Sequence, residues 1–181
     1  TTEIYTLSLH DALPISADSW GAGIKFFHWL MAALIVFQIM LGVMAVTWPV
    51  SPTKLDLFVW HKSFGVLILT LAALRLLWRL TNVTPALPGG MAGWERMGAR
   101  MSHFALYLLM IALPITGWII NSAANIPFRI FWLVPLPSIV APDKALADLF
   151  AQIHGGLALT LVVVLVVHIG AALRHHFIKH D

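Results

Sequence analysis

Histidines 154 and 168 bracket a stretch, HGGLALTLVVVLVVH, whose thirteen intervening residues carry neither a charge nor an amide. Imidazole can ligate iron, copper or zinc, move protons, or simply hydrogen-bond. Polar groups are costly inside a bilayer, so those found there usually have a task. At ~1.5 Å rise per residue the two rings lie ~21 Å apart along a helix. At ~100° per residue they end about 40° apart in azimuth. They share a face, one near each end of a membrane span. Because an imidazole facing lipid would be unpaired, both are expected to point into a bundle.

The rest of the chain supplies that bundle. Of 181 residues, 60% are hydrophobic and only 10% charged, against roughly 25% charged in a soluble domain. A spanning helix needs about 20 mostly apolar residues. Four segments qualify, over about residues 24–47, 57–80, 101–121 and 149–177. Each begins or ends near Trp, Lys or Arg, the usual interfacial anchors. Pro114 is expected to bend the third. The short link TWPVSPTK makes the first two helices antiparallel neighbours, whereas TNVTPALPGGMAGWERMGAR is a Pro/Gly-rich loop. The apolar loop around 126–140 is expected to lie on the membrane surface or to cap the bundle end. There is no cysteine, which excludes disulfides, thiolate metal sites and the attachment motif of c-type haem. Nothing in the modest formal charge of +3 suggests a nucleic-acid partner.

The fold expected is therefore all-α, an integral-membrane four-helix bundle over residues 18–181. Residues 1–17, which include TTEIYTLSLHDALPIS, have neither a basic n-region nor an apolar h-region and are not a signal peptide. They read as a foreign or flexible tail, and His10 receives no role. Lys25, Arg75, Arg79, Arg96, Arg100, Arg174 and Lys179 fall on one side of the bilayer, and Lys54, Lys62, Arg129 and Lys144 on the other. The positive-inside rule then puts both termini in the cytoplasm.

On that topology His61 is level with His154, on the periplasmic side, and His28 is level with His168, on the cytoplasmic side. His103 opens the third helix, also on the cytoplasmic side. Each layer thus has imidazoles from two helices. Two axial imidazoles at one depth suit a six-coordinate b-type haem, which brings four nitrogens of its own. Zinc would need further protein ligands that neither layer offers. A lone intramembrane histidine is more often a hydrogen-bonded core residue than a ligand. Four at matched depths, with a fourteen-residue spacing on one helix, favour ligation of haem iron by His28 with His168 and by His61 with His154. His103 competes with His28 in principle but lies nearer the boundary, and is assigned instead to a quinone pocket. His175 and His176 are further quinone candidates, though an interfacial role fits them equally well.

Other residues follow from the same layers. Arg75 lies fourteen residues after His61, at the cytoplasmic depth. There it would meet a haem propionate or a quinone oxygen, or else snorkel. Gly42, Gly65, Gly117, Gly155 and Gly156 would let a flat macrocycle approach the backbone, or would serve plain helix contact. Lys54, Lys62, Arg129 and Lys144 would attract a small anion, or are ordinary loop charges.

The motifs FHWLMA at His28, WHKSFG at His61, RLLWR at Arg75, SHFALYLLMIALPITGW and HGGLALTLVVVLVVHIGAALRHHF resemble the bacterial cytochrome b561 family over about residues 18–179. That family is related to the cytochrome b subunits of nickel–iron hydrogenases and formate dehydrogenases. The resemblance implies two haem b groups, one held by His28 and His168 and one by His61 and His154. It also implies electron exchange with ubiquinone or a related quinone. One branch oxidises superoxide at the periplasmic haem and reduces quinone. Relatives usually continue beyond FIKHD with a short basic tail, so this chain looks truncated. The expected function is electron transfer between the periplasmic side and the quinone pool of the bacterial inner membrane, as an oxidoreductase of the superoxide-oxidising kind. A second reading is a haem b relay or anchor subunit for a hydrogenase- or dehydrogenase-type redox partner. A third, from another class, is a haem-free transporter with a histidine proton relay.

Overall fold

The computed structural model describes residues 22–81 and 92–179. The expected tail, His10, His180 and most of the second loop lie outside the described residues. Four long helices account for most of the described residues: α1 (Ala22–Thr47), α2 (Pro52–Thr81), α3 (Gly93–Ala123) and α4 (Lys144–Arg174). A single π-helical turn, His175–Lys179, extends α4. All four helices are long and apolar enough to cross a membrane.

Three of the helices begin earlier than the apolar runs alone indicate, because polar residues outside those runs nucleate them. Ser51 stands before α2, where its hydroxyl accepts from the Lys54 N–H at 3.3 Å, and Pro52 takes the first helical position, where a missing N–H is harmless. Glu95 reaches back from the first turn of α3 to the Ala92 N–H at 3.1 Å. Asp143 caps α4 by accepting from the Leu146 N–H at 3.1 Å. At 30 or 31 residues, α2, α3 and α4 outrun the ~30 Å hydrocarbon thickness. Their ends project into the interfaces.

Close packing joins α1 to α2, α2 to α3 and α3 to α4. The core is a band at mid-depth: Met31 and Ile35 of α1, Ile68 and Ala72 of α2, Leu109 and Met110 of α3, and Leu161 of α4. Leu161 sits seven residues from each of His154 and His168, so the apolar band lies between the two histidine depths. The opposite face of α4 shows Leu159, Val162, Val163, Val166 and Val167. In water such a stripe would be a liability; in a bilayer it is the lipid contact.

The apolar segment between α3 and α4 caps one end of the bundle. It forms a two-stranded antiparallel hairpin, β1 (Arg129–Ile130) with β2 (Val134–Pro135). Its turn places Phe131 and Trp132 at φ 47° and 62°, a left-handed conformation that costs a residue with a side chain about 1–2 kcal/mol. Packing offsets that strain. The Phe131 N–H donates to buried Ser63 at 2.8 Å, and Trp60 of α2 lies 5.7 Å from the Phe131 ring and 5.3 Å from Trp132. Further ties run from the Trp118 indole to the Pro137 carbonyl at 2.8 Å and from the Ile139 N–H to Ser122 at 3.2 Å.

Candidate cofactor sites

The histidines gather at two depths. Toward the α1–α2 turn and the hairpin, the rings of His61 and His154 have centroids 6.2 Å apart. Toward the chain ends, His28 and His168 are 6.5 Å apart, and His103 is 5.4 Å from His168. These are called below the turn-end pair and the terminus-end cluster. Metal–imidazole bonds of about 2 Å on either side of an ion, with ring centres roughly 1 Å beyond each nitrogen, put two axial imidazoles about 6 Å apart centre to centre. Both cross-helix pairs have that separation. His103 stands closer to His168 than such a pair requires. Among the described residues no group of three or more His, Cys, Asp or Glu is arranged to hold a bare metal ion. Pairs of imidazoles with nothing to complete the coordination fit an iron whose equatorial nitrogens arrive with it.

The turn-end pair is held closely. Gly42 of α1 faces His61: a Cβ there would fall 2.9 Å from Cε1 of the ring, closer than side chains approach. Gly117 of α3 faces His154 more loosely, at 3.5 Å. These two glycines thus provide room for the imidazoles, whereas Gly155 and Gly156 face open space. The Gln38 amide donates to the His61 carbonyl at 2.7 Å. Nδ1 of His61 and Oε1 of Gln38 are buried without a hydrogen-bond partner among the described residues. Buried orphans of this kind mark a place where something else belongs. Thr116 contacts Nδ1 of His154 at 2.9 Å.

The terminus-end cluster is more open and more cationic. Arg75 approaches Nδ1 of His28 at 3.4 Å, near the outer limit of a hydrogen bond. Guanidinium can only donate, so His28 accepts there. Arg75 and Arg79 both lie 5.8 Å from the Tyr107 ring. His103 is exposed. His175 opens the π-helical turn, and exposed His176 packs on Phe177 at 4.8 Å. Nearby, the carboxylate of Glu95 is buried and accepts from Arg174 at 2.8 Å, tying the start of α3 to the end of α4.

The cations at the turn end each have a local contact. The Lys54 ammonium donates to the carbonyls of Val46 and Trp48 at 3.1 and 2.9 Å. Lys62 donates to Asn121 at 2.7 Å and lies 5.5 Å from the Phe128 ring. Lys144 pairs with Asp148 at 2.6 Å. Arg129 is exposed on β1.

Gln38, Thr116, Glu95 and Asn121 were not singled out from the sequence. Gln38 carried a usable signal: it is the single amide in the first apolar run, and an isolated amide in a span asks for a partner. Thr116 carried none, since intrahelical threonines commonly bond their own backbone.

The sequence can also be set beside known proteins. The description of prokaryotic cytochrome b561 matches residues 19–181. The chain belongs to the prokaryotic cytochrome b561 family. Membership implies haem b binding and makes the chain a multi-pass bacterial membrane cytochrome. It is 35% identical to cytochrome b561 homolog 2 of Escherichia coli (strain K12) over 170 residues, covering 91% of this chain and 88% of that one. It is 33% identical to a probable superoxide oxidase CybB of Yersinia pestis over 121 residues, covering 67% of this chain and 68% of that one. Cytochrome b561 homolog 1 of Escherichia coli (strain K12) is 28% identical over 123 residues, 67% of this chain and 68% of that one.

Proposed function

We propose that this cytochrome carries two haem b groups and moves electrons between the periplasmic side of the bacterial inner membrane and quinone, as a superoxide:quinone oxidoreductase. The observation that carries the reading is the pair of imidazole separations, 6.2 and 6.5 Å, presented by one helix at positions fourteen residues apart. Haem b, when bound, supplies a one-electron iron couple at each layer. His61 with His154 would hold one haem, and His28 with His168 the other. The charge count along the loops supports the turn end as the periplasmic end.

Superoxide is the donor suggested by the relative from Yersinia pestis. Two superoxide anions give up one electron each and leave as dioxygen; the quinone takes up two electrons and two protons and leaves as quinol. Lys54 and Lys62 donate to neutral oxygens and so keep their charge for long-range attraction, together with exposed Arg129. Lys144 is largely neutralised by Asp148 and contributes less. Quinone is assigned to the terminus end, with His103, Arg75 and either His175 or His176 as polar contacts. For His28 to ligate through Nε2, its Nδ1 must carry the proton. Arg75 would then turn from that nitrogen to another acceptor, either a propionate carboxylate or a quinone carbonyl oxygen.

A relay subunit for a redox partner is the second reading. It draws on the exposed apolar tip of the hairpin, Trp132, Leu133 and Val134. Reduced-minus-oxidised spectra with haem extraction test the main proposal, and two haems per chain are expected. Purified protein should then reduce a soluble quinone in proportion to superoxide supplied. A rate equal to the protein-free background removes the superoxide assignment and favours the relay.

A further inference from the structure

The hydroxyl of Thr116 touches two groups at once. It lies 2.8 Å from the Leu113 carbonyl oxygen and 2.9 Å from Nδ1 of His154. Thr116 is buried, so water cannot replace either contact freely. A hydroxyl has one proton, and a carbonyl can only accept. The proton therefore goes to Leu113. Were Nδ1 also bare, the second contact would set lone pair against lone pair. With a proton on Nδ1 both contacts become hydrogen bonds, running from ring to hydroxyl to backbone. In a neutral imidazole that leaves Nε2 unprotonated.

We propose that Thr116 is a positioning residue: its hydroxyl fixes His154 with the proton on Nδ1, which reserves Nε2 for iron. The role of iron rests on the dihaem reading above, whereas the tautomer does not. A β-branched side chain in a helix has few χ1 states, and the bond back to Leu113 selects one, so the acceptor is stiff. Hydrogen bonding from the second nitrogen makes a ligating imidazole more basic. A more basic ligand favours ferric over ferrous iron, so Thr116 lowers the reduction potential at the turn-end pair. His61, whose Nδ1 has no partner among the described residues, receives no such support from the opposite side.

Potentiometric titration of the holoprotein tests this with two variants. Thr116→Val removes the hydroxyl at similar volume, and Thr116→Ser keeps it. In Thr116→Val the ratio of reduced to oxidised turn-end haem at a fixed ambient potential should rise roughly tenfold, with the other haem unchanged. Thr116→Ser should restore most of the wild-type ratio. An unchanged ratio in Thr116→Val overturns the proposal, as does a Thr116→Ser protein that behaves like the valine variant. Should the valine variant hold no haem, 15N NMR of histidine-labelled, haem-free wild-type protein decides instead. The His154 proton is expected on Nδ1, and a proton on Nε2 overturns the assignment. Wild-type protein that takes up no haem at all refutes the dihaem reading and still leaves the tautomer to be judged by that spectrum.

Discussion

The turn-end pair and the terminus-end cluster present the same side chains at nearly the same separation, 6.2 and 6.5 Å, in unlike settings. At the turn end, the groups in direct contact with the pair are neutral: Thr116 on His154, Gln38 on the His61 backbone, and Gly42 close against the His61 ring. At the terminus end there is a third imidazole, His103, with Arg75 bonded to His28. The hydrogen bonds preset opposite tautomers. His154 has its proton on Nδ1 and Nε2 bare; His28 accepts at Nδ1 and must give up that contact before Nε2 can ligate. The turn end is thus built to bind one group and hold it fixed. The terminus end is more open and offers alternative partners to its rings, as the proposed service to a propionate, a quinone and protons would require.

Breaking either pair at its ligand gives the largest effect. His154→Ala should abolish the turn-end haem and leave the other, halving haem per chain by extraction assay, while His168→Ala should do the reverse. Loss of both haems in each variant would show that the two layers are not independent. Next comes Gly42→Val. Its Cβ would meet His61 at 2.9 Å, so haem retention at the turn end should fall steeply, whereas Gly117→Ala, with its Cβ at 3.5 Å, should keep near-normal content. Equal retention in the two would remove the clearance argument. Arg75→Leu should act on the other layer only, weakening haem or quinone binding there by roughly tenfold in a titration. A change confined to the turn-end spectrum would contradict the placement of Arg75. Smallest is Arg174→Ala. It deprives the buried Glu95 carboxylate of a partner and should lower stability by about 1–3 kcal/mol in thermal unfolding, with both haem spectra intact.

The arrangement of the helices was legible because lipid imposes it: length and apolarity mark a span, and short links fix antiparallel neighbours. Depth was legible for the same reason, since rise per residue places His61 level with His154 and His28 level with His168. The helix starts at Pro52, Gly93 and Lys144 were not, because caps lie outside the apolar signal. The hairpin could be foreseen as a cap but not as a strand pair: Phe131 and Trp132 are residues that local preference keeps out of a left-handed turn, and tertiary packing on Trp60 overrides it. Sequence spacing also could not distinguish clearance from packing at Gly42, which depended on where the His61 ring turned. Thr116 was invisible because its importance lies in a neighbour 38 residues away.

The buried members of the mid-depth band, from Met31 to Leu161, are all aliphatic residues or methionine. Such a layer offers protons no relay and water no foothold. An electron passing from one histidine depth to the other would therefore cross it unaccompanied, and its charge would feel the transmembrane field. Over a full crossing that is about 2.3 kcal/mol per 100 mV, and less in proportion to the part of the field spanned. The same apolar band that packs the helices would thus make the transfer sensitive to membrane voltage.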